Sequence, residues 1–263
     1  MTFFQADKLQ AGYAKKEIIH TLSFTLERNT LTAILGANGS GKTTLLKALC
    51  GILPHPGTCS VDGICLEQLS PKHLAQICSY IPQRSGISID ISAMDVVLMG
   101  FNPKLKILEY PDPQMKALAA DALTLVGLSE YKNQNYMTLS EGQKQLCILA
   151  RTLVADSKML LLDEPESALD FQYRYKMLNI IRNWVNEHDR CALTALHDPM
   201  LALNFCDRLI LLKNGRLLDT LNPGTDTLER METSLAQIYG SINLQRCTDR
   251  QGTSHLIMIK EME

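Results

Sequence analysis

The chain has 263 residues, enough to bury one substantial core with an inserted or appended subdomain. Its formal charge of −2 provides no basic stripe to neutralise a nucleic-acid backbone, so nucleic acid is excluded as a first partner. Apolar residues make up 46% of the total, yet no run nears the ~18 uninterrupted positions of a membrane-spanning helix. The first seven residues lack the basic-then-apolar layout of a signal peptide, so the sequence is read as a soluble chain that stays inside the cell.

The opening segment predicts short strands at Phe3–Gln10, Leu22–Leu26 and Leu31–Leu35, the last a continuous apolar run. Directly after it, Gly36-Ala37-Asn38-Gly39-Ser40-Gly41-Lys42-Thr43 fits the phosphate-binding loop pattern G-x-x-x-x-G-K-[ST]. Glycines 36, 39 and 41 allow backbone N–H groups to crowd round an anion. Lys42 supplies a mobile charge for the β and γ phosphates, and Thr43 offers a hydroxyl to Mg²⁺. The helix predicted from Lys42 to about Cys50 aims its positive end at the same place. Nucleoside triphosphate binding is the expectation.

A strand at Thr58–Val61 follows a Pro-Gly-rich turn, and Ile77–Pro82 predicts another, with Gln83 in the loop beyond it. From Ser92 to about Ala155 the texture is helical. Met115, Leu118, Ala119, Ala122, Leu125 and Val126 repeat at three and four, and prolines 103, 111 and 113 separate that helix from the one before it. Within this stretch Ser140 opens a helix as N-cap, and the serine hydroxyl with the Gly142 N–H also forms a second potential anion site.

The apolar run Met159–Leu162 then ends in Asp163 and Glu164. Acids at the end of a buried strand are costly unless they face a cation or a reacting water. Asp163 is therefore the expected Mg²⁺ partner of Thr43, and Glu164 the proton acceptor for the water attacking a γ-phosphate; the alternative is an acid pair complementing a helix dipole. A helix over Phe171–His188 and a strand over Cys191–Leu196 lead to His197, and Leu209–Leu212 adds one more strand. Alone, His197 reads as a structural residue and Gln83 as a loop amide. Alternating strands and helices give an α/β fold with a mainly parallel sheet whose site lies at the strands' C-terminal edge. The tail from Pro223 predicts a helix near Leu228–Tyr239 and weak strands at Ile242–Leu244 and Leu256–Ile259.

Eight cysteines, at 50, 59, 65, 78, 147, 191, 206 and 247, form no C-x-x-C, and their spacing pairs none with a histidine in a zinc-like pattern. Reduced, mostly buried thiols are expected.

Taken together the motifs resemble the ATP-binding cassette (ABC) ATPases: Gly36–Thr43 as Walker A, Gln83 as Q-loop, Leu139–Gln143 as signature, Met159–Asp163 with Glu164 as Walker B, Ser167–Asp170 as D-loop and His197 as switch histidine. The resemblance implies one cassette over 1–263. A P-loop (RecA-like) α/β core with an antiparallel β subdomain would occupy 1–90 and 156–222, an inserted helical signature subdomain 91–155, and a C-terminal extension 223–263. It implies ATP held by Tyr13, by Gly36, Ala37, Asn38, Gly39, Ser40, Gly41, Lys42, Thr43 and Thr44, and, from a partner, by Ser140, Gly142 and Gln143. Lys42, Gln83, Glu164 and His197 would serve catalysis, and Thr43, Gln83 and Asp163 would serve Mg²⁺. It further implies a head-to-tail dimer with a second copy or a paralogous cassette, two polytopic membrane permease subunits, an indirect substrate-binding protein, and a peripheral position on the cytoplasmic face of the inner membrane.

Two residues depart from the family pattern. Glu141 stands where the signature usually has glycine, and Glu166 where threonine is common. Ile91–Gly100, Leu169–Gln172 and the region of Ile238–Gly240 resemble metal-chelate importers for ferric siderophores, haem and cobalamin, with ferric siderophore the expected substrate. An exporter cassette or a non-transport ABC ATPase is the remaining alternative.

Overall fold

A computed structural model describes residues 2–14, 16–84, 86–187 and 189–261. The elements run β1 (Thr2–Tyr13), β2 (Lys16–Glu27), β3 (Thr30–Leu35), α1 (Lys42–Leu49), β4 (Thr58–Val61), β5 (Ile64–Cys65), α2 (Pro71–Ile77), β6 (Cys78–Ile81), α3 (Ala93–Leu98), α4 (Pro113–Val126) and α5 (Glu141–Ala155). They continue with β7 (Met159–Asp163), α6 (Phe171–Asn186), β8 (Cys191–Ala195), α7 (Pro199–Phe205), β9 (Arg208–Lys213), β10 (Arg216–Leu221), α8 (Leu228–Tyr239), β11 (Ile242–Thr248) and β12 (Ser254–Lys260).

The central sheet has the order β10-β9-β3-β8-β7-β6. Its neighbours pair in parallel except for β10 against β9. Every residue of β7 and β8 is buried, as parallel strands covered on both faces require, which is why their sequences read as unbroken apolar runs. Alternate residues serve two cores. Leu31, Ala33, Leu160 and Leu162 join the helices α3 to α6, whereas Ile34, Met159 and Leu161 join α1 and a second sheet. That second sheet is antiparallel, in the order β2-β1-β4-β5. Phe3, Phe4, Leu9, Ile19 and Leu22 close its inner face.

Polar caps set where the helices begin. Ser92 and Asp95 form a reciprocal capping box on α3, Asp112 caps α4 with Pro113 at its first position, and Asp170 caps α6. The tail helix α8 is joined to the edge of the sheet by Ser234, which donates to Asp219 Oδ2 at 2.6 Å. The β11–β12 hairpin is held to α7 by Asn204, which donates to the Leu256 carbonyl and accepts from its N–H, both at 2.9 Å.

Several elements differ from the sequence reading. β2 starts at Lys16 rather than Leu22, because register shifts along the β1–β2 pair and a positive φ of 35° at Thr21 break the alternation expected of a strand. β5, α2 and β10 carry no clear pattern: β5 has two residues, α2 buries none fully, and β10 is an edge strand whose leucines do not alternate and of which only Leu221 is fully buried. The helix expected to reach His188 ends at Asn186, and His188 lies outside the described residues. The cysteines are free, with Cys59, Cys78, Cys147, Cys191 and Cys206 buried and Cys247 exposed. One expectation is corrected: Cys59 does lie beside a histidine, His55, because the turn at Pro56-Gly57 folds the preceding loop onto β4.

Candidate active site

The loops following β3, β6, β7 and β8 converge on a cleft of about 580 Å³. It is lined by Asn38, Gly39, Gly41, Lys42, Thr43, Thr44, Gln83, Glu164 and His197, together with Ile18 and Ser167. The volume is of the size that holds a nucleotide-like molecule.

The loop Gly36–Gly41 leads directly from β3 into α1, so α1 opens toward the cleft. Gly41 has φ +108°, and a Cβ there would stand 2.7 Å from Ile19 Cδ1, so no other residue fits this turn without movement. Lys42 is nearly buried, and its Nζ donates to the Gly36 carbonyl at 2.9 Å. Ser40 is 5% exposed and its Oγ has no hydrogen-bond partner among the described residues, leaving an orphan hydroxyl beneath the loop.

Asp163, at the end of β7, accepts from Thr43 Oγ1 at 3.0 Å on one oxygen and from the Tyr80 hydroxyl at 3.1 Å on the other. Burial raises the pKa of its carboxyl, and these two hydrogen bonds work against that rise. Desolvation and the neighbouring Asp163 raise the Tyr80 hydroxyl's pKa in turn, so Tyr80 remains a donor. Tyr80 was missed as a site residue by the sequence reading. It sits in a strand read only for its apolar content, and nothing in its local pattern marks it.

Glu164 has φ +49°, a left-handed conformation that a residue other than glycine, asparagine or aspartate rarely adopts. That geometry is held by its own N–H donating to the Ala195 carbonyl at 3.0 Å. It turns the carboxylate into the cleft, where Oε2 accepts from Gln83 Nε2 at 2.8 Å and Oε1 lies 3.8 Å from Lys42 Nζ.

Glu166 is 2% exposed and reaches across to the β8 loop, where its Oε1 accepts from the His197 N–H at 2.9 Å. Its Oε2 has no partner among the described residues. Burial raises its pKa, and the bond to His197 partly restrains the rise.

Other residues lie elsewhere. Ser140, Gly142 and Gln143 line a separate cavity of about 440 Å³ with Glu141, Ala168 and Asp170. There Ser140 Oγ accepts from the Gln143 N–H at 3.2 Å while Gln143 Oε1 accepts from the Ser140 N–H at 2.9 Å, a capping box that leaves the serine O–H free to donate outward. Glu141 is turned to Lys144, 2.8 Å away. Tyr13, 45% exposed at the end of β1, does not line the P-loop cleft.

The ABC transporter family model matches residues 19–167. This chain belongs to the ABC transporter ATPase family. Among its relatives, the Helicobacter pylori protein named "Probable iron chelatin transport ATP-binding protein" is 35% identical over 218 residues, 81% of this chain and 84% of that one. The hemin import ATP-binding protein HmuV of Vibrio anguillarum is 32% identical over 246 residues, 91% and 92% of the two chains. HmuV of Rhizobium leguminosarum is 38% identical over 210 residues, 77% and 78%.

In fold the cassette matches a chain of a metal-chelate type ABC transporter in an inward-facing conformation, with a TM-score of 0.82, 22% identity and 99% of both chains covered. It also matches a dimeric ATP-binding cassette bound to ADP and Pi, with a TM-score of 0.76, 20% identity, and coverage of 84% of this chain and 98% of that one. The cassette is thus an ATP-binding, ATP-hydrolysing module of a transporter. Among the described residues, no helix is long and apolar enough to cross a membrane.

Proposed function

We propose that this cassette hydrolyses ATP to energise import of an iron chelate, with a ferric siderophore as substrate. The observation that carries the reading is its likeness, over 77% to 91% of its length, to proteins named for iron chelatin transport and hemin import. Haem is the second reading, favoured by the two HmuV relatives.

The geometry supports a division of labour within the cleft. Backbone N–H groups of residues 36–44 and the Lys42 ammonium would receive the triphosphate, and the orphan Ser40 hydroxyl fits an added acceptor. Thr43 Oγ1 and Asp163 Oδ1 form a pair of hard oxygen donors 3.0 Å apart, suited to Mg²⁺, with Gln83 across the cleft. Bound Mg²⁺ supplies charge neutralisation for the β and γ phosphates. Glu164 accepts the proton of the attacking water, and His197, fixed through its backbone by Glu166, faces the γ-phosphate position. Tyr13 stacks on adenine.

Ser140, Gly142 and Gln143 act on the nucleotide of a second copy. Residues 1–90 and 156–222 act as the nucleotide-binding core, 91–155 as the helical subdomain and 223–263 as the extension. A groove of about 840 Å³, lined by Leu49, Leu74, Tyr80, Met99 and Arg151 among others, borders both the strand before Gln83 and the helical segment. Two permease subunits dock in these grooves, which sets the cassette peripherally on the cytoplasmic face of the inner membrane.

The test is a pull-down of the tagged chain from its native membranes, followed by an ATPase assay with and without a binding protein loaded with ferric siderophore. Stimulation by the loaded protein is expected. An active complex indifferent to it, yet stimulated by a haem-loaded protein, moves the assignment to the second reading.

A further inference from the structure

The loop at 54–57 and the β4–β5 hairpin enclose a group of side chains that the ATP site does not use. A ligand atom from each of His55, Cys59 and Glu67 lies within 4.8 Å of the other two. Among the described residues this is the one group of three histidine, cysteine or acidic donors that converges in this way. Cys59 is 1% exposed and the His55 side chain 7%, while Glu67 keeps an edge open to solvent. A fourth donor adjoins them, because the Cys65 thiol donates to Glu67 Oε2 at 3.1 Å. His55 and Glu67 also line the large groove.

The donors are arranged as ligands are. His55 Nδ1 lies 3.2 Å from the Pro56 carbonyl, and the other ring nitrogen, Nε2, faces Glu67 Oε1 at 3.8 Å. Glu67 is itself oriented by the Cys59 N–H, which donates to its Oε1 at 2.6 Å. The charge at this place is one-sided. After burial, the Glu67 carboxylate is the chief influence on the Cys59 sulfur, and it opposes a thiolate. A bound dication reverses that balance, because it pairs with the carboxylate and stabilises thiolate sulfur.

We propose that His55, Cys59 and Glu67, joined by Cys65, bind one Zn²⁺-type divalent cation beside the groove. Two sulfurs, an imidazole and a carboxylate match the tetrahedral preference of Zn²⁺ over harder ions. With bonds of about 2.0 to 2.3 Å, ligand atoms in such a site stand roughly 3.5 Å apart, so the donors of His55, Cys59 and Glu67, within 4.8 Å of one another, draw together by about 1.3 Å at most, and Cys65, outside that group, swings in further. Each thiol that enters the coordination sphere releases its proton to solvent. The ion would tie the 54–57 loop to the β4–β5 hairpin and stiffen that wall of the groove.

The test uses the full-length chain, reduced and metal-free, titrated with Co²⁺ and then with Zn²⁺. The expected result is a thiolate-to-cobalt charge-transfer band that saturates at one equivalent and is abolished by Zn²⁺. The P-loop cleft offers only oxygen and nitrogen donors, so Co²⁺ bound there gives no such band. Cys59→Ala should abolish the band, and His55→Asn, at the groove side, should weaken Co²⁺ binding by at least ~10-fold, with both variants checked for folding by circular dichroism. Loss of intensity in Cys65→Ser confirms the fourth ligand, and an unchanged spectrum removes Cys65 from the site. Absence of the band at excess Co²⁺, or its persistence in a folded His55→Asn variant with unchanged affinity, overturns the proposal.

Discussion

Replacing Glu164 with glutamine separates binding from chemistry, and the structure gives both effects a size. Glu164 Oε1 lies 3.8 Å from Lys42 Nζ, and the two side chains are 15% and 5% exposed. At an effective dielectric constant near 20, that separation corresponds to a gross attraction of about 4 kcal/mol, most of it offset by the desolvation of both charges. In the absence of nucleotide, part of the Lys42 cation's affinity for anions is thus engaged within the protein. Glutamine keeps the shape and can still accept from Gln83, but it frees Lys42 for the triphosphate. If ~1 kcal/mol of the pairing survives the offset, ATP binds roughly fivefold more tightly to Glu164→Gln. Turnover moves the other way. Loss of a general base costs on the order of 10² to 10⁴ in rate. A fluorescent ATP analogue measures the first effect, and single-turnover hydrolysis in the assembled transporter measures the second. Near-normal hydrolysis refutes the assignment of the base, and weakened nucleotide binding refutes the Lys42 argument.

Lys42→Ala removes a charge-assisted donor worth about 1.5 to 3 kcal/mol, so equilibrium binding should show ATP affinity falling by roughly 10- to 150-fold, and unchanged affinity would remove the P-loop reading. Glu141→Gly gives up an exposed ion pair with Lys144, so stability should change by less than about 1 kcal/mol and hydrolysis should be unchanged or faster. A strong loss of turnover in that variant would mean the acid has a positive role. Glu166→Gln should alter the pH dependence of stability. Because the folded-state pKa of Glu166 is raised above the ordinary 4.5, its contribution is complete below that value and is lost as pH rises through the folded pKa. Glutamine has no such loss, so melting temperatures of wild type and variant should move apart in the variant's favour as pH rises above 4.5. Parallel curves would show that Glu166 does not titrate there.

What could be read from the sequence follows from physical range. β7 and β8 are buried on both faces, so their apolar runs declare them, and the acids and histidine at their ends are conspicuous because polar groups rarely end such runs. The helix α4 announces itself through its apolar stripe and its Asp112-Pro113 start. Where the structure depends on pairing at a distance, the signal fades. The alternation in β2 is interrupted by bulges against β1, and in β10, an edge strand with leucines at 217, 218 and 221, a register shift against β9 breaks the alternation in the same way. The contacts of Tyr80 with Asp163 and of Glu166 with His197 span 83 and 31 residues and are set by strand order in the sheet, which local spacing does not encode.

The segment 164–170 joins the P-loop cleft to the Ser140 cavity. Its first residue places a carboxylate in the P-loop cleft, and Ser167 lines the same cleft. Glu166 grips the backbone of His197 on the neighbouring strand's loop. Beyond it, Ala168, Leu169 and Asp170 form a wall of the cavity that contains Ser140 and Gly142. A Cβ on Gly142 would stand 3.3 Å from the Ala168 carbonyl oxygen and 3.4 Å from Leu169 Cδ2, so the signature helix packs on this segment too closely to admit a methyl group unless its neighbour gives by a few tenths of an ångström. The strained φ of Glu164 and the orphan Oε2 of Glu166 lie at its start, where a small shift moves both the carboxylate and the histidine loop. The second copy proposed above, pressing on the Ser140 cavity, would therefore meet the same short stretch of backbone that aims Glu164. Occupancy of one cavity has a contiguous, tightly packed route to the geometry of the other.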